Sequence, residues 1–372
     1  MSGIRVVHAT GAPLTRGRTV GRELGELIDR SIAFYHEYLE RRGVRSRELQ
    51  ELLAPYLVAA DRSMPEATSV IEGMADGAMV PVWELFAVNA FEELEPLLEQ
   101  AEGLRPFPRT KERAPAGPTP GSPRWERCST VTVAGPGYTL LAHNEHWLAG
   151  DQGNVAVVID VPEHGRARVA SPTVVCCLPA VGLNSFGGAQ GIGSVTATDD
   201  RPGVPRVLVS RRSLEASGRA DAIARTTFPD RAGGYGHVFA FPGGDTFVVE
   251  TTASRHAVLE GPGPHTNHYL DPSLAELAPE PSAGSLSRYA RLVEAIAERK
   301  PATPEDLMSI MADHEGSAQN EFLPPEQDEG DDASAVLFSL VCDVEAGRMW
   351  VAAGNPRTAP FEEIDLSPLG RT

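Results

Sequence analysis

The chain has 372 residues, 41% hydrophobic and 23% charged, which allows a well-buried core and excludes wholesale disorder. A formal net charge of -18, with no basic patch bearing interleaved aromatics, excludes nucleic acid as a partner. No stretch approaches a membrane span, MSGIRVVHATGAPLTRGR lacks a signal-peptide core, and four scattered cysteines make no disulfide framework, so a reducing cytoplasm is the expected compartment.

Residues 15–100 read as helical. In TVGRELGELIDRSIAFYHEYLERRG the apolar positions Val20, Leu24, Leu27, Ile28, Ile32, Tyr35 and Leu39 recur at steps of three and four. Gly43 follows the last of them as a C-terminal cap. SRELQELLAPYLVAA and VPVWELFAVNAFEELEPLLEQ carry similar patterns. Residues 102–127, dense in Pro, Gly and Arg, can be neither helix nor central strand and read as an exposed linker.

Strand patterns begin immediately afterwards. STVTVA and YTLLAH flank a Gly-Pro-Gly turn and predict a hairpin. NVAVVIDVP, ARVASPTVVCCL, HVFAFP, DTFVVETT, SAVLFSLVCDV and RMWVAAG follow, interrupted by helical patterns at 205–226 and 285–314. Helices first and then many antiparallel strands imply a layered α+β fold around a central β-sandwich.

Cys128 stands out as the first residue after the linker and the start of a strand. Were the bond between Arg127 and Cys128 cut, Cys128 would carry a free α-amino group, whose unperturbed pKa is roughly 7.7–8.0. That amine could take the thiol proton with no histidine partner, and covalent geometry would hold the two groups together. The plain alternative is a cysteine acting as a small buried hydrophobe, as expected for Cys176 and Cys177.

Several segments carry a resemblance. CSTVTVAGPGYTLLAHNEHW, GLNSFGGAQGIG, HTNHYL, the opening HATGAPLTRGRTVGREL and the closing SAVLFSLVCDVEAGRMWVAAGNP together resemble the acyl-coenzyme A:6-aminopenicillanate acyltransferase family of self-processing N-terminal nucleophile hydrolases. The resemblance implies a four-layer αββα sandwich, cut into an α-chain of residues 1–127 and a β-chain of residues 128–372 that stay associated as one structural domain. It implies Cys128 as nucleophile, Asn267 as oxyanion donor and Ser334 as an aid to processing or orientation. Asn144 would structure the strand opposite Cys128, and Asn184 and Ser185 would line the substrate pocket. Two positions depart from the family pattern: His146 stands where an Asp beside the nucleophile is usual, and Arg127 where Gly is common.

The implied activity is hydrolysis of a small N-acyl amine or peptide-like amide through a thioester, with no metal or redox cofactor. Acyl-coenzyme A-dependent transfer is the alternative, with the coenzyme A thioester as substrate. An ordinary Cys-His hydrolase with His146 as base and an unprocessed, non-catalytic binding protein are the further rivals. His143, Glu145 and His146 invite a metal reading, yet HNEH is not HExxH, and strand positions three apart face opposite ways. Gly-rich GGAQGIG is a weak dinucleotide match, better explained by tight turns. Arg288 could meet a substrate carboxylate or lie on a solvated helix face.

Overall fold

The computed structural model describes residues 3–94, 96–97, 128–163, 165–313 and 334–370. The expected linker over 102–127, with Arg127, lies outside the described residues. After β1 (Val6–Gly11) the chain runs through helices that include α1 (Pro13–Arg41), α2 (Ser46–Ser63), α3 (Pro65–Ala78) and α4 (Val82–Asn89). The α1 register is the one the apolar spacing predicts, since Val20, Leu24, Ile28, Ile32, Tyr35 and Leu39 are buried. Each such side chain contributes about 1.5–3 kcal/mol by leaving water. Pro13 starts the helix at a position that needs no N–H. Gly43 ends it at φ 70°, with Val44 N bonded to Leu39 O and Gly43 N to Glu40 O, a Schellman closure.

α1 and α3 touch backbone to backbone. A Cβ on Gly17 would lie 2.1 Å from Val70 O and one on Gly21 2.1 Å from Met74 O. Gly73 and Gly77 make the reciprocal approach to Leu14 O and Arg18 O. Only glycine permits this contact.

Among the described residues the strands form two sheets. The first has eight strands: β1, β4 (Val155–Pro162), β5 (Val169–Val174), β6 (Gly182–Asn184), β7 (Ala189–Ser194), β8 (Tyr235–Phe241), β9 (Asp245–Thr251) and β10 (His256–Glu260), in that order. The second has six, in the order β11 (Pro264–His265), β2 (Ser129–Gly135), β3 (Tyr138–Leu148), β12 (Ser334–Asp343), β13 (Arg348–Ala352) and β14 (Glu362–Glu363). β1 and β4 pair in parallel and the remaining named strand pairs are antiparallel.

The sheets face one another through β2, β3 and β12 against β5 to β9. Helices α5 (Arg206–Ser213) and α6 (Arg219–Thr226) join α1–α4 on the eight-stranded side. Helices α7 (Ala283–Arg299) and α8 (Pro304–Met311) cover the outer face of the other sheet, where Leu292, Ala295, Leu307, Ile310 and Met311 pack on Val131, Val133, Leu140, Ala142 and Val341. The fold is therefore the four-layer αββα sandwich that the resemblance implies.

Three expected elements are divided. The pattern over 205–226 breaks at Gly218, before α6. That over 285–314 breaks at Pro301, and α8 restarts from a Thr303–Asp306 capping box. ARVASPTVVCCL is strand only over β5, because the chain turns before Cys177, whose N–H donates to Val174 O. Pro172 is tolerated inside β5 because the short β6 pairs only with Val169 and Ala170. Among the described residues no helix is long and apolar enough to cross a membrane.

Candidate active site

Hairpin β2–β3 builds the site. Gly135 pairs with Tyr138 across the two-residue turn Pro136–Gly137, and the ladder runs back to Ser129 opposite Asn144. One further step sets Cys128 across from Glu145. Cys128 is 3% exposed, and its Sγ donates to Glu145 Oε1 at 3.4 Å and to His146 O at 3.7 Å.

Side chains alternate along β3. Asn144 Nδ2 donates to Met311 O in the outer helical layer, at 3.0 Å, so Asn144 faces away from the thiol. His146 shares that outer face by alternation and meets the Cys128 thiol through its backbone carbonyl. The imidazole that stands at the usual carboxylate position is thus turned from Cys128, and Glu145, one residue earlier, supplies the carboxylate.

Inward from Glu145 runs a chain of polar contacts. Glu145 Oε2 is 3.0 Å from His143 Nε2, His143 Nδ1 is 2.9 Å from Thr130 Oγ1, and Thr130 Oγ1 donates to Ile192 O at 3.3 Å. A hydroxyl has one proton, so with that proton on Ile192 O it accepts from Nδ1–H. β7 comes this close because position 191 is glycine: a Cβ there would lie 2.6 Å from Thr130 Cγ2. Such close approach, not a dinucleotide loop, explains the glycine-rich run.

Burial, and then the negative charge of Glu145, push the Cys128 thiol well above its ordinary pKa. The resting group at neutral pH is therefore the thiol.

On the backbone side Arg288, from α7, is 1% exposed. Its Nη1 donates to Cys128 O at 2.5 Å and to Ser129 Oγ at 2.9 Å, and its Nη2 to Asn267 Oδ1 at 2.8 Å. It lies on no solvated helix face. Asn267 Nδ2 donates to Ser194 O at 2.9 Å, and Asn267 N to Ser285 Oγ at 2.8 Å. His265 is held by Glu250 at 2.9 Å and His268 by Ser285 Oγ at 2.8 Å, both structural contacts.

The other expected residues sit apart from the thiol. Asn184 Nδ2 donates to Leu214 O and Ala216 O, and its Oδ1 accepts from Phe186 N and Gly188 N, which shapes the turn between β6 and β7. Ser185 Oγ accepts from Arg168 N. Ser334 heads β12 opposite Leu148, its hydroxyl buried without a hydrogen-bond partner among the described residues. Just beyond it, Ala335, Val336, Leu337, Asn355, Arg357 and Thr358 help line a cavity of about 490 Å³. Cys128 is not in its wall, so the cavity abuts the strand facing Glu145–His146 without reaching the thiol.

Glu145, His143, Thr130 and Arg288 are thus the site neighbours whose roles sequence spacing left unread. For Glu145 a signal existed, because counting back from the Pro136–Gly137 turn pairs 128 with 145.

A model of the family described as acyl-coenzyme A:6-aminopenicillanic acid acyl-transferase matches residues 133–358. Among solved structures, one similar chain is penicillin V acylase from Agrobacterium tumefaciens, at 15% identity and a TM-score of 0.47, over 64% of this chain and 86% of that one. None of the curated proteins matches the chain. The matched span begins after Cys128.

Proposed function

The chain belongs to the acyl-coenzyme A:6-aminopenicillanic acid acyl-transferase family, and on that premise we propose a cysteine amidohydrolase, made as a precursor and cut between Arg127 and Cys128. The observation that carries the reading is Cys128 itself: its thiol meets the Glu145 carboxylate at 3.4 Å while Arg288 holds its carbonyl.

Cleavage would free an α-amine of pKa roughly 7.7–8.0 on the nucleophile. The amine takes the thiol proton, and the thiolate attacks the amide carbonyl of a small N-acyl amine. Asn267 Nδ2 has one N–H on Ser194 O; its second serves the oxyanion, together with a backbone N–H. The ammonium returns its proton to the departing amine, leaving a thioester on Cys128. Water then releases the acid. Glu145, held by His143, steadies the ammonium between these steps. Ser334 aids processing, while Asn144, Asn184 and Ser185 support the walls.

The two chains would stay together after cleavage, because helices α1–α4 share one core with the sheets. We place the enzyme in the cytoplasm. The family's description favours a second fate for the same thioester, transfer to an amine with an acyl-coenzyme A donor. Acid quenching during turnover of an N-acyl amine tests the reading. A hydroxylamine-labile acyl mass on the peptide that begins at Cys128 is expected; turnover with no such adduct would overturn the covalent route.

A further inference from the structure

Cys128, His143 and Glu145 offer a thiol sulphur, an imidazole nitrogen and a carboxylate oxygen that all lie within 4.8 Å of one another. The pairs Sγ–Oε1 and Nε2–Oε2 are 3.4 Å and 3.0 Å apart. Tetrahedral zinc, with bonds of about 2.0–2.3 Å, sets neighbouring donors roughly 3.3–3.8 Å apart, close to the two short pairs, and the thiol and imidazole, within 4.8 Å of each other, would draw together around the ion. The faces that separate His143 from His146 are the same that gather His143, Glu145 and Cys128.

A second observation points the same way. Metal-binding histidines have their other ring nitrogen held by a neighbour that fixes ring orientation and tautomer. His143 Nδ1 is held by Thr130 Oγ1 at 2.9 Å, and Thr130 is tied in turn to Ile192 O. This leaves Nε2 directed at Glu145 and the thiol. Sulphur and imidazole donors select zinc-class ions over magnesium or calcium.

We propose that Cys128, His143 and Glu145 form a three-ligand site for a zinc-class divalent cation, and that the bound ion holds the nucleophile inactive. The first half stands on the side chains as they lie, whether or not the chain is cut; the second rests on the hydrolase reading. Binding replaces the thiol proton with the cation and releases that proton to solvent, so affinity rises with pH. Glu145 is partly exposed, and the ion enters past it.

The test is titration of Co²⁺ into the reduced full-length protein, followed by absorbance. A saturable near-ultraviolet thiolate–cobalt band that Zn²⁺ abolishes is expected. Cys128→Ala and Cys128→Ser should both lose it, and Thr130→Val, which frees His143 Nδ1 and keeps all three ligands, should weaken binding roughly 10–100-fold. Cys177→Ala should leave the band unchanged. No band up to millimolar Co²⁺, or a band that survives Cys128→Ser, would overturn the site. Turnover in chelator-treated protein reports the hydrolase reading separately. Activity that Zn²⁺ fails to inhibit while the cobalt band forms would overturn the inhibitory half alone.

Discussion

Arg288 and Asn267 share one hydrogen bond, Nη2 to Oδ1 at 2.8 Å, and it decides which way the amide faces. A guanidinium only donates, so Oδ1 must be the acceptor and Nδ2 is turned to Ser194 O. The same guanidinium grips Cys128 O at 2.5 Å. One buried cation therefore positions both the backbone of the proposed nucleophile and the proposed oxyanion donor.

Asn267→Ala should lower kcat by about 10²–10³, equivalent to about 2.7–4 kcal/mol, with KM little changed. Arg288→Lys keeps the charge but not the fork, and should also fall in kcat. Steady-state kinetics on both variants check this; an Asn267→Ala enzyme with undiminished kcat would remove Asn267 from the oxyanion role.

Glu145→Gln separates two effects. Removing the carboxylate's charge lowers the Cys128 pKa, so iodoacetamide should alkylate the thiol faster at a given pH near 8. Turnover should nevertheless fall, because the ammonium loses its counter-charge. Slower alkylation in the variant would mean that Glu145 does not govern the thiol.

Much of the frame was legible. The spacing from Val20 to Leu39 set the buried face of α1, and Gly43 its end, because both follow from local geometry. Cys128 was legible as the first residue beyond a proline-rich segment. Glu145 was harder, since its place depends on cross-strand register, while the neighbouring His146, more conspicuous as a sequence feature, is sent outward by side-chain alternation. Arg288 sits in an amphipathic helix where one arginine reads as surface; only the packing of α7 on β2 shows it buried. Asn184 carried a pocket expectation, but its hydrogen bonds go to the turn.

The glycine contact between α1 and α3 predicts opposite signs for two similar changes. Gly21→Ala would place a methyl group 2.1 Å from Met74 O and should destabilise by about 1–3 kcal/mol. Gly25→Ala meets nothing within 4 Å and should stabilise by about 0.5–1 kcal/mol through helix propensity. Denaturant unfolding of the two variants reads the difference; equal losses would refute the close packing.

Acid should unfold the protein partly through His237. Burial pushes its pKa down to about 3, whereas the unfolded chain's histidine titrates near 6.5. The unfolded state thus binds the proton first. The stability is complete above pH 6.5 and is lost as pH falls toward about 3, at about 1.4 kcal/mol per pH unit for one proton. His237→Phe, beside Phe239 and Tyr235, should flatten the slope between pH 6 and 4 by about that amount. An unchanged slope would exclude His237 as a source of acid sensitivity.

Self-cleavage before Cys128 is tested most directly by intact mass under denaturing conditions, on the purified protein and on Cys128→Ala. Two fragments dividing between Arg127 and Cys128 in the first, and one chain of 39.8 kDa in the second, are the expected result. A single full-length mass in both would contradict self-processing and leave Cys128 without the amine that the proposed chemistry requires.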